Sequence, residues 1–320
     1  MLAILSFIAY TMWMPGTQFR GRLPAPSSDV LSVAAALKTH VVALSQVVGE
    51  RRVELEDSMG RAQHYLVEAA GEIAARTGSA VHLEDVGVNG GHAKNVFWEL
   101  PGASSELVVV GAHYDSAEGA PGADDNASGV AATLELARRL STRRFQRTIR
   151  FVLFANEEPP YFQNPGMGSL AHARGARQRG ERIAAMLSLE SIGYFSDAPH
   201  SQNYPHFIGF LYPDRGDFIA FVGNLDSRSL VRRAVGTFRS KTQFPSEGAA
   251  LPARVPGIDW SDHWSFWQFG YPAIMVTDTA IFRNPHYHEH SDAPGTIDYV
   301  KLAAVTTGIQ SVVEELASHS

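Results

Sequence analysis

"ELVVVGAHYDS", Glu106 to Ser116, runs through five consecutive apolar or glycine positions after its opening glutamate and leucine, then ends in His113, Tyr114 and Asp115. An unbroken apolar run of this length is the mark of a strand buried on both faces, as in a parallel sheet covered by helices. Polar groups at its carboxyl end fall where open α/β sheets collect their functional side chains.

The surrounding chain repeats the pattern. "AVHLEDVG" and "KNVFWELPG" read as strands joined by the turn "VNGGHA". The helix "SGVAATLELARRLST" follows His113, and "RTIRFVLFANEE" is a second fully buried strand. A helix around Ser169 to Arg179 precedes the strand "IAAMLSLESIGY". "PHFIGFLY" and "GDFIAFVGN" read as strands or strand-like stretches, "DSRSLVRRAVGTFRSK" as a helix, "YPAIMVTDT" as a further buried strand, and "TIDYVKLAAVTTGIQSVVEELASH" as a closing helix. Two helices come before all of these, Val30 to Val48 capped by Ser28 or Asp29, and Asp57 to Arg76. Strands alternating with helices predict one α/β layered domain with a mostly parallel central sheet.

Composition bounds the function. The 320 residues carry 45% hydrophobic and 19% charged side chains, as in an ordinary globular protein. A formal charge of −6, with no basic run interleaved with aromatics, argues against nucleic acid as a partner. With no cysteine, any metal must be held by His, Asp and Glu. The segment "MLAILSFIAYTMWM" has no charge before Arg20 and is too short to span a bilayer at about 20 residues. It reads as a buried N-terminal element or as a signal or anchor helix. Export or membrane anchoring is the expectation, with a cytoplasmic location left open. The division expected is an apolar segment 1–24, dispensable for chemistry, and one catalytic domain 25–320.

Acidic and histidine residues gather at the strand ends: His113 and Asp115, then Glu157 and Glu158, then Glu190, then "PHYHEHSD" after the last strand. A buried strand finishing on two acids is costly unless the charges are compensated. "PGADDNASG" adds the adjacent pair Asp124 and Asp125 at a helix start. One acid there is an ordinary cap; two repel each other and call for a positive neighbour. Imidazole and carboxylate without thiolate suit catalytic zinc. A carboxylate between two ions suits a two-metal site with ions about 3.5–4 Å apart. A glutamate that binds no metal can then take a proton from water. One Asp of the pair is read as the bridge, with Asp124 as helix cap or orienting group. His172, His200 and His206 are expected at the surface.

"GAHYDS", "PGADDNASG", "NEE", "LESIGY", "SDHWSF" and "PHYHEHSD" occur in the order and spacing of metallopeptidase family 28, which the chain resembles from about His113 to Asp292. That family contains co-catalytic zinc aminopeptidases and is related to glutaminyl cyclases and non-catalytic ectodomains. The resemblance implies a three-layer α/β/α zinc-exopeptidase (phosphorylase/hydrolase-like) fold, two zinc ions, and peptide substrates with a free N-terminus. It implies His113 and Glu190 as ligands of one zinc, Glu158 and His288 as ligands of the other, and Asp125 as the bridge. Asp115 then orients His113, and Glu157 is the general base. Bare chemistry does not choose among His286, His288 and His290; the family pattern "YH" with Asp292 four residues later selects His288.

Two positions depart from the family pattern. Glu190 stands where many members carry Asp, one methylene shorter. "GIDWSDHW" lacks the tyrosine that some members place before "SDH", which leaves the carbonyl-polarising donor open among Tyr194, Tyr287 and His263. Tyr161 and Phe162, beside the base, are candidate specificity elements. The aromatics of "DWSDHWSFWQFGY" either line a pocket for an apolar side chain or pack the sheet edge, with Trp264 and Trp267 the expected core members. The alternatives to an aminopeptidase are a glutaminyl cyclase or a binding ectodomain; a cyclase would alter the "GADDNASG" region, which here keeps the peptidase form.

Overall fold

The computed structural model describes residues 10–88, 91–205 and 208–318. Residues 1–9 of the apolar segment, the centre of "VNGGHA", His206 and part of "PHFIGFLY" lie outside the described residues.

Eight strands form one mixed sheet: β1 (His82–Val88), β2 (Gly91–Leu100), β3 (Ser104–His113), β4 (Arg147–Phe154), β5 (Ile183–Glu190), β6 (Ile219–Gly223), β7 (Ser246–Ala250) and β8 (Ala273–Thr277). Their order is β1-β2-β4-β3-β5-β8-β6-β7. The centre, β4-β3-β5-β8, is parallel, while β1, β2 and the β6–β8 contact are antiparallel.

Along β3 the side chains alternate between two cores. Val108, Val110 and Ala112 enter the larger one, and Leu107 and Val109 the smaller. Each fully buried valine or leucine contributes about 1.5–3 kcal/mol, and β3 collects this from both sides, which fixes its central place. The larger core is covered by α1 (Ser28–Val42), α2 (Glu56–Ala75), α3 (Gly129–Leu140), α5 (Arg228–Lys241) and α7 (Tyr299–Ser318). The smaller is covered by α4 (Gly168–Gln178) and α6 (His263–Trp267). The expected α/β/α layering is therefore present.

Ser27, rather than Ser28 or Asp29, caps α1: its side chain accepts the Val30 N–H. The segment Ser28–Val48 is long and apolar enough to cross a membrane by length and composition. Val33, Leu37, Val41 and Leu44 nevertheless lie in the core, against α3 and α7. In place of the strand expected at "PHFIGFLY", the described residues form a 3₁₀ turn at Gly209–Leu211. β7 was not expected, because Ser-Glu-Gly-Ala-Ala carries almost no strand preference.

Residues 10–23 pack on the domain instead of standing apart from it. Tyr10 and Trp13 stack on Arg228 and Arg232 of α5, 3.8 Å and 4.4 Å from ring centre to guanidinium. Met14 is buried over Gly248 of β7.

Candidate metal centre

The carboxyl ends of β3, β4 and β5 deliver His113, Glu157 with Glu158, and Glu190 to one rim, as the strand registers require. The turn after β3 brings Asp125 back to the same place. Gly122 opens that turn with φ 63°, where a Cβ would meet the Asp125 carbonyl at 2.4 Å, so the left-handed position and the close approach both demand glycine.

Asp125 divides its carboxylate between two histidines. Oδ1 lies 3.1 Å from His113 Nε2, and Oδ2 lies 3.1 Å from His288 Nε2. Around His113 Nε2 the second carboxylate is Glu190, 3.3 Å away; around His288 Nε2 it is Glu158, 3.2 Å away. Glu157 stands back, 4.0 Å from His113 Nε2. All seven site residues expected from the sequence meet here. His286 turns to Ser291, 2.8 Å from its Nδ1, and His290 is exposed, so neither enters the cluster. His288 holds φ 59°, a left-handed position uncommon for a side-chain-bearing residue and typical of strained functional sites.

Buried groups in this cluster lack ordinary partners. His113 Nε2, Asp125 Oδ1 and Glu158 Oε1 make no hydrogen bond among the described residues. Ligand atoms arranged tetrahedrally about 2.0–2.1 Å from a zinc ion lie about 3.3 Å apart, close to the separations found here. His113, Asp125 and Glu158 are near enough together to hold an ion. The donor set fits a metal.

Electrostatics agree. Burial opposes protonation of His113, yet the Glu190 and Glu157 carboxylates hold its imidazolium well above the ordinary histidine range. Burial likewise opposes His288, but bonds to Asp125 and Glu158 push it up to about 10. The clustered acids thus favour positive charge at this point, a demand that a bound dication would meet. Burial, then the neighbouring Asp125, raises Glu158 to about 7. Burial, with Glu190, Glu158 and Asp262 adding to it and His113 opposing, raises Glu157 well above the usual carboxylate range.

Supporting residues hold these groups in place. Asp115 accepts the backbone N–H of Glu157 and of Glu158, each at 3.0 Å, and lies 3.4 Å from His113 Nδ1. Ser191 and Ser261 donate to the two Glu190 oxygens at 3.0 Å and 2.7 Å, so the longer side chain is anchored at both oxygens. Asp124 is not the helix cap. It accepts from Gly193 N–H and from the Asn284 amide, both at 2.8 Å, while Asn126 receives the Gly129 N–H at the start of α3.

Sequence reasoning missed Arg51, fully buried under the site. It donates to the carbonyls of Leu44, Gly49, Tyr114, Pro121 and Gly122 and so ties the His113 and Asp125 segments together. Nothing in its local sequence marks this role, because its partners are distant carbonyls.

Of the three donor candidates, His263 is buried with Nε2 on the Ile258 carbonyl at 2.7 Å, and Tyr194 rings against His286. Tyr287 stacks on His288 at 3.9 Å and, with Glu190, borders a cavity of about 110 Å³. Its other walls include Tyr204, Phe218, Ile258, Trp260 and Phe282; Tyr161 and Phe162 do not line it. Trp264 and Trp267 are half-buried, and Phe266 between them is the core residue. His172, expected at the surface, is buried on the inward side of α4 against Phe97, Phe154 and Phe266, with Glu84 Oε2 at 2.8 Å from its Nδ1.

Comparison with known proteins agrees with this architecture. The Escherichia coli (strain K12) protein YfbL is 39% identical over 293 residues, covering 89% of this chain and 88% of that protein. Leucine aminopeptidase 1 of Arthroderma otae is 32% identical over 222 residues, covering 63% of this chain and 52% of the relative, so the chain spans about half the length of that enzyme. Among solved structures, LapB from Legionella pneumophila superposes with a TM-score of 0.72 at 19% identity, over 96% of this chain and 79% of LapB. The glutaminyl cyclase of Porphyromonas gingivalis does so with a TM-score of 0.66 at 19% identity, over 88% of this chain and 98% of the cyclase. The family description "Peptidase family M28" matches residues 95–313. The chain belongs to peptidase family M28.

Proposed function

We propose that the protein is a zinc-dependent aminopeptidase, with residues 25–320 as its catalytic domain. The observation that carries this reading is the Asp125 carboxylate shared between two His–carboxylate pairs, His113 with Glu190 and His288 with Glu158. These five residues would hold two ions, with Asp125 common to both. When bound, zinc supplies an acidified water as nucleophile and an electrophile for the substrate carbonyl.

The remaining steps fall to the protein. Glu157, adjacent to the ligand Glu158 but set back from the histidines, takes the proton of the attacking water and delivers it to the departing amine. The raised affinity of its carboxyl for a proton suits that exchange. Tyr287 is the donor for the developing oxyanion. Its phenol is kept protonated by burial and by the surrounding Asp125, Glu158, Glu190 and Glu157 charges. The free α-amine of a substrate enters this acidic surround as a cation, and its side chain occupies the cavity beside Glu190 and Tyr287. A chain continuing past that amine would collide with the acidic rim, which selects exopeptidase over endopeptidase cleavage.

The kinship of leucine aminopeptidase 1 supports this reading over a cyclase, as does the retained double acid of "GADDNASG". The apolar run Met1–Ala9 and the outward-facing Tyr10 and Trp13 support export or attachment to a membrane.

Glu157→Gln tests the assignment. The variant should retain zinc and lose kcat by about 10³-fold or more. Near-normal turnover with metal content confirmed removes Glu157 from the base role.

A further inference from the structure

One polar group in the cavity has no part in the hydrolytic step. Glu247 lies on the edge strand β7, paired in register with Ala220 of β6, and forms part of a cavity wall that is otherwise largely aromatic and aliphatic. Its side chain is only 14% exposed. Oε1 accepts a hydrogen bond from Gln18, on the segment that crosses the sheet edge. Oε2 stands 3.9 Å from Arg239 Nη2, beyond hydrogen-bond reach, and accepts no hydrogen bond among the described residues.

We propose that Glu247 is a specificity-determining residue that makes the cavity select an N-terminal side chain with an aromatic body and a neutral hydrogen-bond donor at its tip, tyrosine before phenylalanine. The inference rests on the aminopeptidase reading and sharpens it.

Three observations set this chemistry. Rings make up much of the wall: Tyr204 and Tyr212 stack on each other at 5.6 Å, and Trp260 and Phe282 at 6.3 Å, which leaves faces and edges for a further ring to pack on. A carboxylate oxygen left without a donor in such a wall costs free energy once a ligand has displaced its water. A phenol repays that cost and a phenyl ring does not. Arg239 already faces the carboxylate, so a lysine side chain would bring a second cation to a charge that is matched. Gln18 fixes which oxygen remains available. Residues 10–23 therefore reach the substrate site through one side chain, although no ligand of the metal centre lies among them.

The test compares kcat/KM of the zinc-loaded full chain on the p-nitroanilides of Tyr, Phe, Leu and Lys. Tyrosine should exceed phenylalanine by at least about tenfold, the worth of one hydrogen bond to a charged group. Glu247→Leu should abolish or invert that ratio. Gln18→Ala and the nearly isosteric Glu247→Gln should narrow it, and they carry the test if the leucine variant does not fold. Binding gives a second readout: L-tyrosinamide should quench or shift Trp260 fluorescence at lower concentration than L-phenylalaninamide, in the metal-free protein as well. Phenylalanine or lysine equal to or better than tyrosine, or a ratio indifferent to Glu247→Leu, overturns the proposal while leaving the aminopeptidase reading intact. Failure to cleave any free-amine anilide overturns both.

Discussion

Asp292 holds Asp125 by the backbone: one Asp292 oxygen accepts the Asp125 N–H at 3.1 Å, and the other accepts the Asp124 N–H at 2.9 Å. Asp115 grips Glu157 and Glu158 in the same way. Each pair of adjacent acids is thus pinned by a third carboxylate outside the proposed ligand set. Asp292→Asn turns one acceptor into an amide donor facing an N–H. It should lower zinc affinity about 10–100-fold with the fold retained, as competition with a chromophoric chelator would show. Unchanged affinity would mean the grip is not needed for the site.

Five backbone carbonyls turn to the Arg51 guanidinium beneath the site. Arg51→Met leaves those carbonyls without their donor, at about 1–3 kcal/mol for each that water cannot reach. Denaturant titration should show a loss of at least about 3 kcal/mol, with Arg51→Lys recovering part of it. A loss below about 1 kcal/mol would show that water replaces the guanidinium.

Acid sensitivity has an identifiable source away from the metal centre. Burial alone would raise the Glu181 carboxyl, but hydrogen bonds from Arg150 and Arg179 outweigh it and hold the group at about 2, against 4.5 unfolded. A depressed folded value gives stability that is complete above about 4.5 and disappears as pH falls toward 2. Wild type should therefore melt above Glu181→Gln at pH 7, and the two should converge near pH 2. A gap that persists at pH 2 would point to lost packing instead of lost charge.

Much of this was legible in the sequence because strands buried on both faces advertise themselves. β3, β4, β5 and β8 each carry a run of at least four apolar residues or glycine, and the acids and histidine at the ends of the first three are the ones that meet. β7 was invisible, since Ser246–Ala250 is held by pairing with β6 and by Met14, not by its own composition. Asp124 read as a cap or an orienting group; an acid at a helix start is usually a cap, but here the turn aims it at Gly193 and Asn284, and Asn126 accepts the Gly129 N–H instead. His172 looked like a surface residue because its burial depends on Glu84, distant in sequence and brought beside it by β1. The cavity was legible only in part: of the aromatic stretch "DWSDHWSFWQFGY", Trp260 lines it while Phe266 packs in the core. Its other walls, among them Tyr204, Phe218, Glu247 and Phe282, come from separate segments outside the motifs.

The most direct measurement is the rate of the zinc-loaded protein on leucine p-nitroanilide beside its N-acetylated form, with ammonia release from N-terminal glutamine peptides followed in parallel. The Asp125-centred site and its acidic rim predict hydrolysis of the free-amine anilide, about 10²-fold or greater loss on the acetylated one, and abolition by chelators that added zinc reverses. Equal rates on free and blocked substrates would contradict the aminopeptidase assignment, and ammonia release without peptide hydrolysis would replace it with a cyclase.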